Sequence, residues 1–446
     1  MRTTRLLFTV WLVVLPVCTT APAAAVNPPA VDDSLLPRAA SPAPPQPTRQ
    51  HEPCVSAAHT TEPTETGQLK DLGLPSVWQL TRGGGQTVAV IDTGVSRHRL
   101  LPHLIPGGDY VSSGDGTVDC DGHGTIVAGI VGAAGDGAFQ GVAPEATIIG
   151  IRQSSTKFRA VDDTAGSGFG DVDTLAKAVR TAADMGATVI NVSSVACLPA
   201  EDALDDRALG AALAYAVDVK NAVVVAAAGN VGGPGQCPQQ NPLDPARAGR
   251  PDWAGVRVVV SPAWYDDYVL TVGSVAPDGA PSEFSLAGPW VDVAAPGEAI
   301  VSLDPDGEGL VDELPTAGGA TPIAGTSYAA PVVTGVAALL RSRSPQLTAR
   351  QVMQRIEDTA HKPAGGWDPV VGHGIVDPVA AVTGNPAQRP DPDIPAPRRV
   401  SVPAADVADT RPGRIALRGA AICVAVSAAL IAVTWLRRRA QAVAHD

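Results

Sequence analysis

No C-x-x-C pair and no histidine-rich run occurs in the 446 residues, which removes the usual zinc-ligand spacings. Positive charge is also scarce: 32 Lys and Arg stand against 45 Asp and Glu, a formal charge of -13. That balance argues against nucleic acid as a partner and against a basic face laid on a membrane; it serves solubility. Asp-Thr-Gly occurs once, at residues 92–94, whereas an aspartic protease needs two such carboxylates. The stretch GTSYA (325–329) ends in Ala where the nucleophile elbow of α/β-hydrolases has Gly. Neither a metal nor any other cofactor is expected.

Charge is missing altogether from two stretches near the ends. Residues 1–25 run from basic MRTTR through apolar LLFTVWLVVLPVC to TTAPAAA, closing on Ala23, Ala24 and Ala25. This is the layout of a secretory signal peptide cleaved after about Ala25. GAAICVAVSAALIAVTWL (419–436) has 18 uncharged residues and is followed at once by Arg437, Arg438 and Arg439. Such a length just spans a bilayer core, and the basic cluster predicts a cytoplasmic C-terminus. The expected order is signal peptide 1–25, Pro-rich arm 26–66, globular region 67–384, Pro-rich stalk 385–414, transmembrane helix 415–436 and cytoplasmic tail 437–446. The globular region then faces an oxidising, extracytoplasmic space. Cys18 falls in the signal and Cys423 in the anchor, which leaves Cys54, Cys120, Cys197 and Cys237 free to form disulfides in any of three pairings.

Between the two Pro-rich segments the chain alternates. Val/Ile-rich runs appear at TVAVID (87–92), ATIIGIR (146–152), ATVINVS (187–193), AVVVAAAGN (222–230) and YVLTVGSV (268–275). Helix-like segments lie between them: HGTIVAGIVGAA, DVDTLAKAVRTAADMG and DRALGAALAYAVDVKN. Near-continuous apolar strands separated by helices predict an α/β fold with a parallel sheet covered on both faces. Chemistry is then expected at the carboxyl ends of the strands.

Three residues stand at such junctions. Asp92 ends the first strand in VAVIDTGV, His123 sits in DGHGTIVAGI ahead of an apolar helix, and Ser327 opens another helix in GTSYAAPVVTG. Alone, each reads as a turn residue or a helix cap. Together they are the set that nucleophilic hydrolysis needs: an imidazole to take the hydroxyl proton and a carboxylate to hold that imidazole. Thr326 and Ala329 are small enough to admit a substrate backbone, and Pro331 suits a first helical turn.

The order Asp, His, Ser is that of subtilisin. From about Val77 to Val382 the chain resembles the subtilisin-like serine proteases at all three blocks, AVIDTGV, DGHGTIVAGI and GTSYAAPVVTGVAALL. The resemblance implies a three-layer α/β/α fold with a mostly parallel central sheet and peptide-bond hydrolysis. It also implies that Asn230, closing AVVVAAAGN, is the oxyanion asparagine, and that Ser193, Ser194 and Val195 pair with an extended substrate.

Three features depart from most of that family: a Pro-rich arm too short for a folded inhibitory pro-domain, long loops at 152–173 and 231–260, and the anchor. The acids at 162, 163, 171 and 173 read as a solvated loop, not as calcium ligands. These departures, with the four cysteines, resemble the mycosins, membrane-anchored proteases of type VII secretion systems. That resemblance implies the pairings Cys54–Cys120 and Cys197–Cys237, limited proteolysis of secreted proteins, and partnership with a secretion membrane complex. The competing expectation is an interaction subunit of that complex whose protease site is occluded or dispensable.

Overall fold

The computed structural model describes residues 26–56, 67–135, 139–163, 168–202, 204–233, 236–244, 249–307, 309–316 and 319–384. The chain divides into a compact unit, Met1–Ala387, and a second, Gln388–Asp446, which lies wholly outside the described residues. The expected signal peptide, stalk, transmembrane helix and tail also fall outside them, as does the last part of the arm. Among the described residues no helix is long and apolar enough to cross a membrane.

Seven strands form the central sheet: β1 (Thr87–Asp92), β2 (Leu104–Asp109), β3 (Thr147–Arg152), β4 (Val189–Val192), β5 (Val223–Ala227), β6 (Leu270–Val275) and β7 (Val293–Pro296). Their order is β7–β6–β5–β4–β1–β3–β2, and every neighbouring pair is parallel. All five strand-like runs of the sequence lie in this sheet. The two it missed, β2 (LIPGGD) and β7 (VAAP), occupy the two edges, where Pro and Gly are tolerated because fewer ladder bonds are required.

Each residue of β4, β5 and β6 is buried, so both faces of the sheet are covered. The cover comes from α1 (His123–Gly132) packed on α4 (Thr326–Arg343), and from α2 (Val172–Asp184) packed on α3 (Arg207–Ala214). Helix α4 runs against β4, β5 and β6 and is buried from Thr326 to Arg341. Because α4 already begins at Thr326, Pro331 stands inside the helix and not in its first turn. A proline there removes the N–H that would serve the carbonyl four residues back, which belongs to Ser327.

The arm wraps the outside of this unit. The Val26 N–H donates to the Trp253 carbonyl, the Pro37 carbonyl accepts from Arg180, and Pro42 lies where a side chain at Gly108 would collide with it. Thr48–Gln50 then adds an antiparallel strand to Phe158–Ala160 in the first long loop. Beyond it the Lys157 ammonium meets the Glu52 carboxylate at 2.8 Å, and the Val55 N–H donates to the Cys120 carbonyl. Cys54 is disulfide-bonded to Cys120, and Cys197 to Cys237. In the same first loop, Asp171 caps α2 through a reciprocal capping box with Thr174, so its carboxylate is already engaged.

Candidate active site

Strand β1 delivers Asp92 to its carboxyl end with no solvent exposure. The carboxylate Oδ1 meets the His123 Nδ1 at 2.6 Å and accepts the Thr93 N–H at 2.8 Å. His123 is the first residue of α1 and follows Gly122, whose φ of 81° is a left-handed conformation that favours glycine. Gly124 has a second reason to be glycine: a Cβ there would sit 2.0 Å from the Gly94 carbonyl oxygen. The Asp-Thr-Gly and Gly-His-Gly turns therefore touch backbone to backbone, and that contact sets the distance between carboxylate and imidazole.

A second buried acid fixes both turns. Asp119 accepts from the Thr93 hydroxyl and the Gly122 N–H on Oδ1, each at 2.8 Å, and from the N–H and hydroxyl of Thr125 on Oδ2, at 2.8 and 2.7 Å. Burial pushes its carboxyl above the usual range despite these donors. Nearby, Asp121 accepts from the backbone N–H of Thr156 at 2.7 Å and ties the histidine turn to the first long loop. Sequence reasoning passed over both acids. The only signal was their spacing, four and two residues before His123 in DCDGHG.

Burial works against a charge on His123, but the Asp92 carboxylate beside it, with its hydrogen bond, outweighs that effect. Asp119 and Asp121 add to it, and the imidazole lies above its ordinary value of 6.5. The side chain is 24% exposed, so part of the imidazole is open to solvent.

Ser327 is the second residue of α4 and 9% exposed. The following residue, Tyr328, sets its ring 5.0 Å from the imidazole of His123, which brings the start of α4 beside the histidine turn. Asn230 follows β5 on the other side. Its Oδ1 accepts from the Thr326 N–H at 2.9 Å and the Thr326 hydroxyl at 3.0 Å, which fixes the amide flip and leaves Nδ2 as the free donor end. A Cβ placed on Gly325 would lie 3.1 Å from the Ser327 Oγ and 3.4 Å from that Nδ2. The hydroxyl and the amide thus border one small volume above Gly325.

Of the three substrate-strand candidates, Ser194 and Val195 are half-buried and have no ladder partner among the described residues. Ser193 does something else: it is 4% exposed, and its hydroxyl donates to the Ser327 carbonyl at 2.8 Å. Behind it, Asn191 donates to that hydroxyl at 2.9 Å and accepts from Thr334 on α4 at 2.8 Å.

Comparison with known proteins gives a consistent answer. The Subtilase family model (Peptidase S8) matches residues 83–374. Mycosin-4 of Mycobacterium tuberculosis is 56% identical over 451 residues, covering 98% of this chain and 97% of the relative. The solved MycP3 protease from the type VII (ESX-3) secretion system is 46% identical with a TM-score of 0.75, over 81% of this chain and all of that one. A chain of the intact ESX-5 inner membrane complex is 41% identical with a TM-score of 0.75, over 92% of this chain and all of its own length.

Proposed function

We propose that the chain, which belongs to the subtilase family and within it to the mycosins, uses Ser327 as the nucleophile of an extracytoplasmic serine endopeptidase tethered to the membrane by residues 415–436. The 2.6 Å contact between Asp92 Oδ1 and His123 Nδ1 carries this reading. With Nδ1 committed to the carboxylate, Nε2 is the nitrogen that takes the Ser327 proton and later returns it to the leaving amine. The Asp92 carboxylate holds the tautomer and stabilises the imidazolium. The oxyanion forms in the volume above Gly325, where Asn230 Nδ2 and the Ser327 N–H donate to it. An extended peptide lies along residues 193–195, pairing through backbone groups that no strand among the described residues uses. Its natural substrates are secreted proteins of a type VII system, cut at selected sites.

A fluorophosphonate probe tests the chemistry. Folded protein is expected to label covalently, Ser327→Ala to abolish labelling and His123→Ala to reduce it strongly. Folded protein that refuses the probe would remove the reading.

A second reading is favoured by one observation, that a similar chain is part of an intact secretion membrane complex. On it, this chain acts as a structural subunit and its hydrolysis is dispensable. Complementing a deletion strain with Ser327→Ala separates the two: full recovery of secretion favours the structural role, and loss of processed substrate favours the enzyme.

A further inference from the structure

The Cys197–Cys237 disulfide touches the turn that carries Asn230 at three points. The Cys237 N–H donates to the Asn230 carbonyl at 2.8 Å, and Val231 forms a β-bridge with Cys237. The two sulfurs, Cys237 Sγ and Cys197 Sγ, lie 2.9 and 3.3 Å from the position a Cβ on Gly229 would take. Cys237 itself is only 5% exposed. At its other end the disulfide is rooted in the strand Ala196–Pro199, which continues directly from residues 193–195 and pairs with Val258–Ser261. The bond therefore links the segment that continues from residues 193–195 to the turn that carries Asn230.

We propose that this disulfide positions the oxyanion amide, so that transition-state stabilisation at Ser327 depends on its integrity; the inference rests on the oxyanion role of Asn230. The side-chain end of Asn230 is held by Thr326, but its backbone carbonyl is held by Cys237, a residue in a long loop. Cutting the bond removes the covalent tie between Cys237 and the strand; Gln240 and Asn241 still hold the loop beyond it, so the slack falls on Cys237 and on its hydrogen bond to the Asn230 carbonyl. An amide donor displaced by a fraction of an ångström still binds substrate, yet loses its fit to an oxyanion that exists only in the transition state. Cys54–Cys120 has no such contact: it ties the arm to the residue three before His123.

The test compares the native chain with N230A, with C197A/C237A, and with the triple variant, using phosphonylation of Ser327 by a fluorophosphonate resolved into kinact and KI. Asn230→Ala is expected to lower kinact on the order of 10²-fold, the lower end of the range known for such a donor in subtilisin. The cysteine pair is expected to lower kinact about fivefold or more with KI unchanged, and to add less than about twofold once Asn230 is Ala, since residues acting as a unit are not additive. Equal losses in both backgrounds, or a change in KI alone, overturn the proposal. An unchanged kinact in N230A removes the oxyanion reading itself, which is a different result from a normal N230A effect with no effect of the cysteine pair. Should C197A/C237A fail to fold, the folded native protein is reduced with an immobilised phosphine and alkylated, and mass spectrometry reports which bond opened. Loss of kinact must then track the Cys197–Cys237 fraction; loss that tracks Cys54–Cys120 overturns the proposal.

Discussion

The Ser193 hydroxyl supplies the hydrogen bond that Pro331 denies to the carbonyl of Ser327. A proline in mid-helix would leave that buried carbonyl unsatisfied, and an orphaned buried acceptor costs about 1–3 kcal/mol. Ser193, oriented by Asn191 and Thr334, closes the gap and fixes the backbone of Ser327, the proposed nucleophile, at the same time.

Ser193→Ala should therefore lower folding stability by about 1–3 kcal/mol and slow probe labelling of Ser327 several-fold. Ser193→Thr, which keeps the hydroxyl, should recover most of both. Denaturant unfolding and labelling kinetics check this, and an alanine variant of native stability would contradict it.

Asp119 gathers four donors from both turns of the Asp92–His123 pair. Asparagine in its place offers one acceptor oxygen and turns an NH2 group towards donors. Asp119→Asn should cost about 2 kcal/mol or more, and the residual fold should label slowly because His123 loses its fixed approach to Asp92. Thermal melting and labelling rate measure the two effects separately.

The raised pKa of His123 sets the acid limb of activity. The imidazole must be neutral to accept the Ser327 proton, and its proton is held to higher pH than in a free histidine. The labelling rate should rise with pH through a midpoint above 6.5. In Asp92→Asn the attraction that raises it is gone, so the midpoint should move down while the maximal rate falls on the order of 10³- to 10⁴-fold. A midpoint that stays in place would show that Asp92 does not control the imidazole.

Three carboxylates away from the cleft should make stability fall as pH rises. Burial first, then mutual repulsion, pushes Asp266 up to about 6, Glu357 up to about 7 and Asp292 well above the usual range; Asp267 and Asp358 add to the repulsion. His373 stands 3.9 Å from Glu357, but burial lowers its pKa, so it gives little compensating charge near neutrality. These groups hold more protons folded than unfolded. Their contribution is full below the ordinary carboxylate pKa and is lost as pH rises through about 6 to 7. Melting temperature should drop between pH 5 and 8 for this reason, and Glu357→Gln should flatten the slope.

Much of this architecture is legible in the chain because its signals are local. An apolar run such as TVAVID announces a buried strand wherever it lies, and a Gly on either side of His123 announces a turn. Five of the seven sheet strands could be read that way. LIPGGD and VAAP could not, since edge strands carry the very residues that punctuate loops. The same locality made Asp92, His123 and Ser327 visible, each as the odd polar residue at the end of an apolar element.

Long-range choices were beyond it. Spacing allowed three pairings among four cysteines; Cys54–Cys120 and Cys197–Cys237 came from the family resemblance, and packing supplies their physical reason. That the Ser193 hydroxyl braces α4 is invisible until the fold sets the Ser327 carbonyl, without a helix donor, against it. Asp119 carries no signal of its role in the sequence beyond its spacing from His123; the role emerges when Thr93, 26 residues earlier, shares its oxygen with Gly122. Strand and helix follow from neighbours along the chain, so the sequence alone determined the layers and marked Asp92, His123 and Ser327 as the proposed reacting side chains. Which hydrogen bond each buried polar group finds depends on what folding brings to it across the core, and only the tertiary structure decided that.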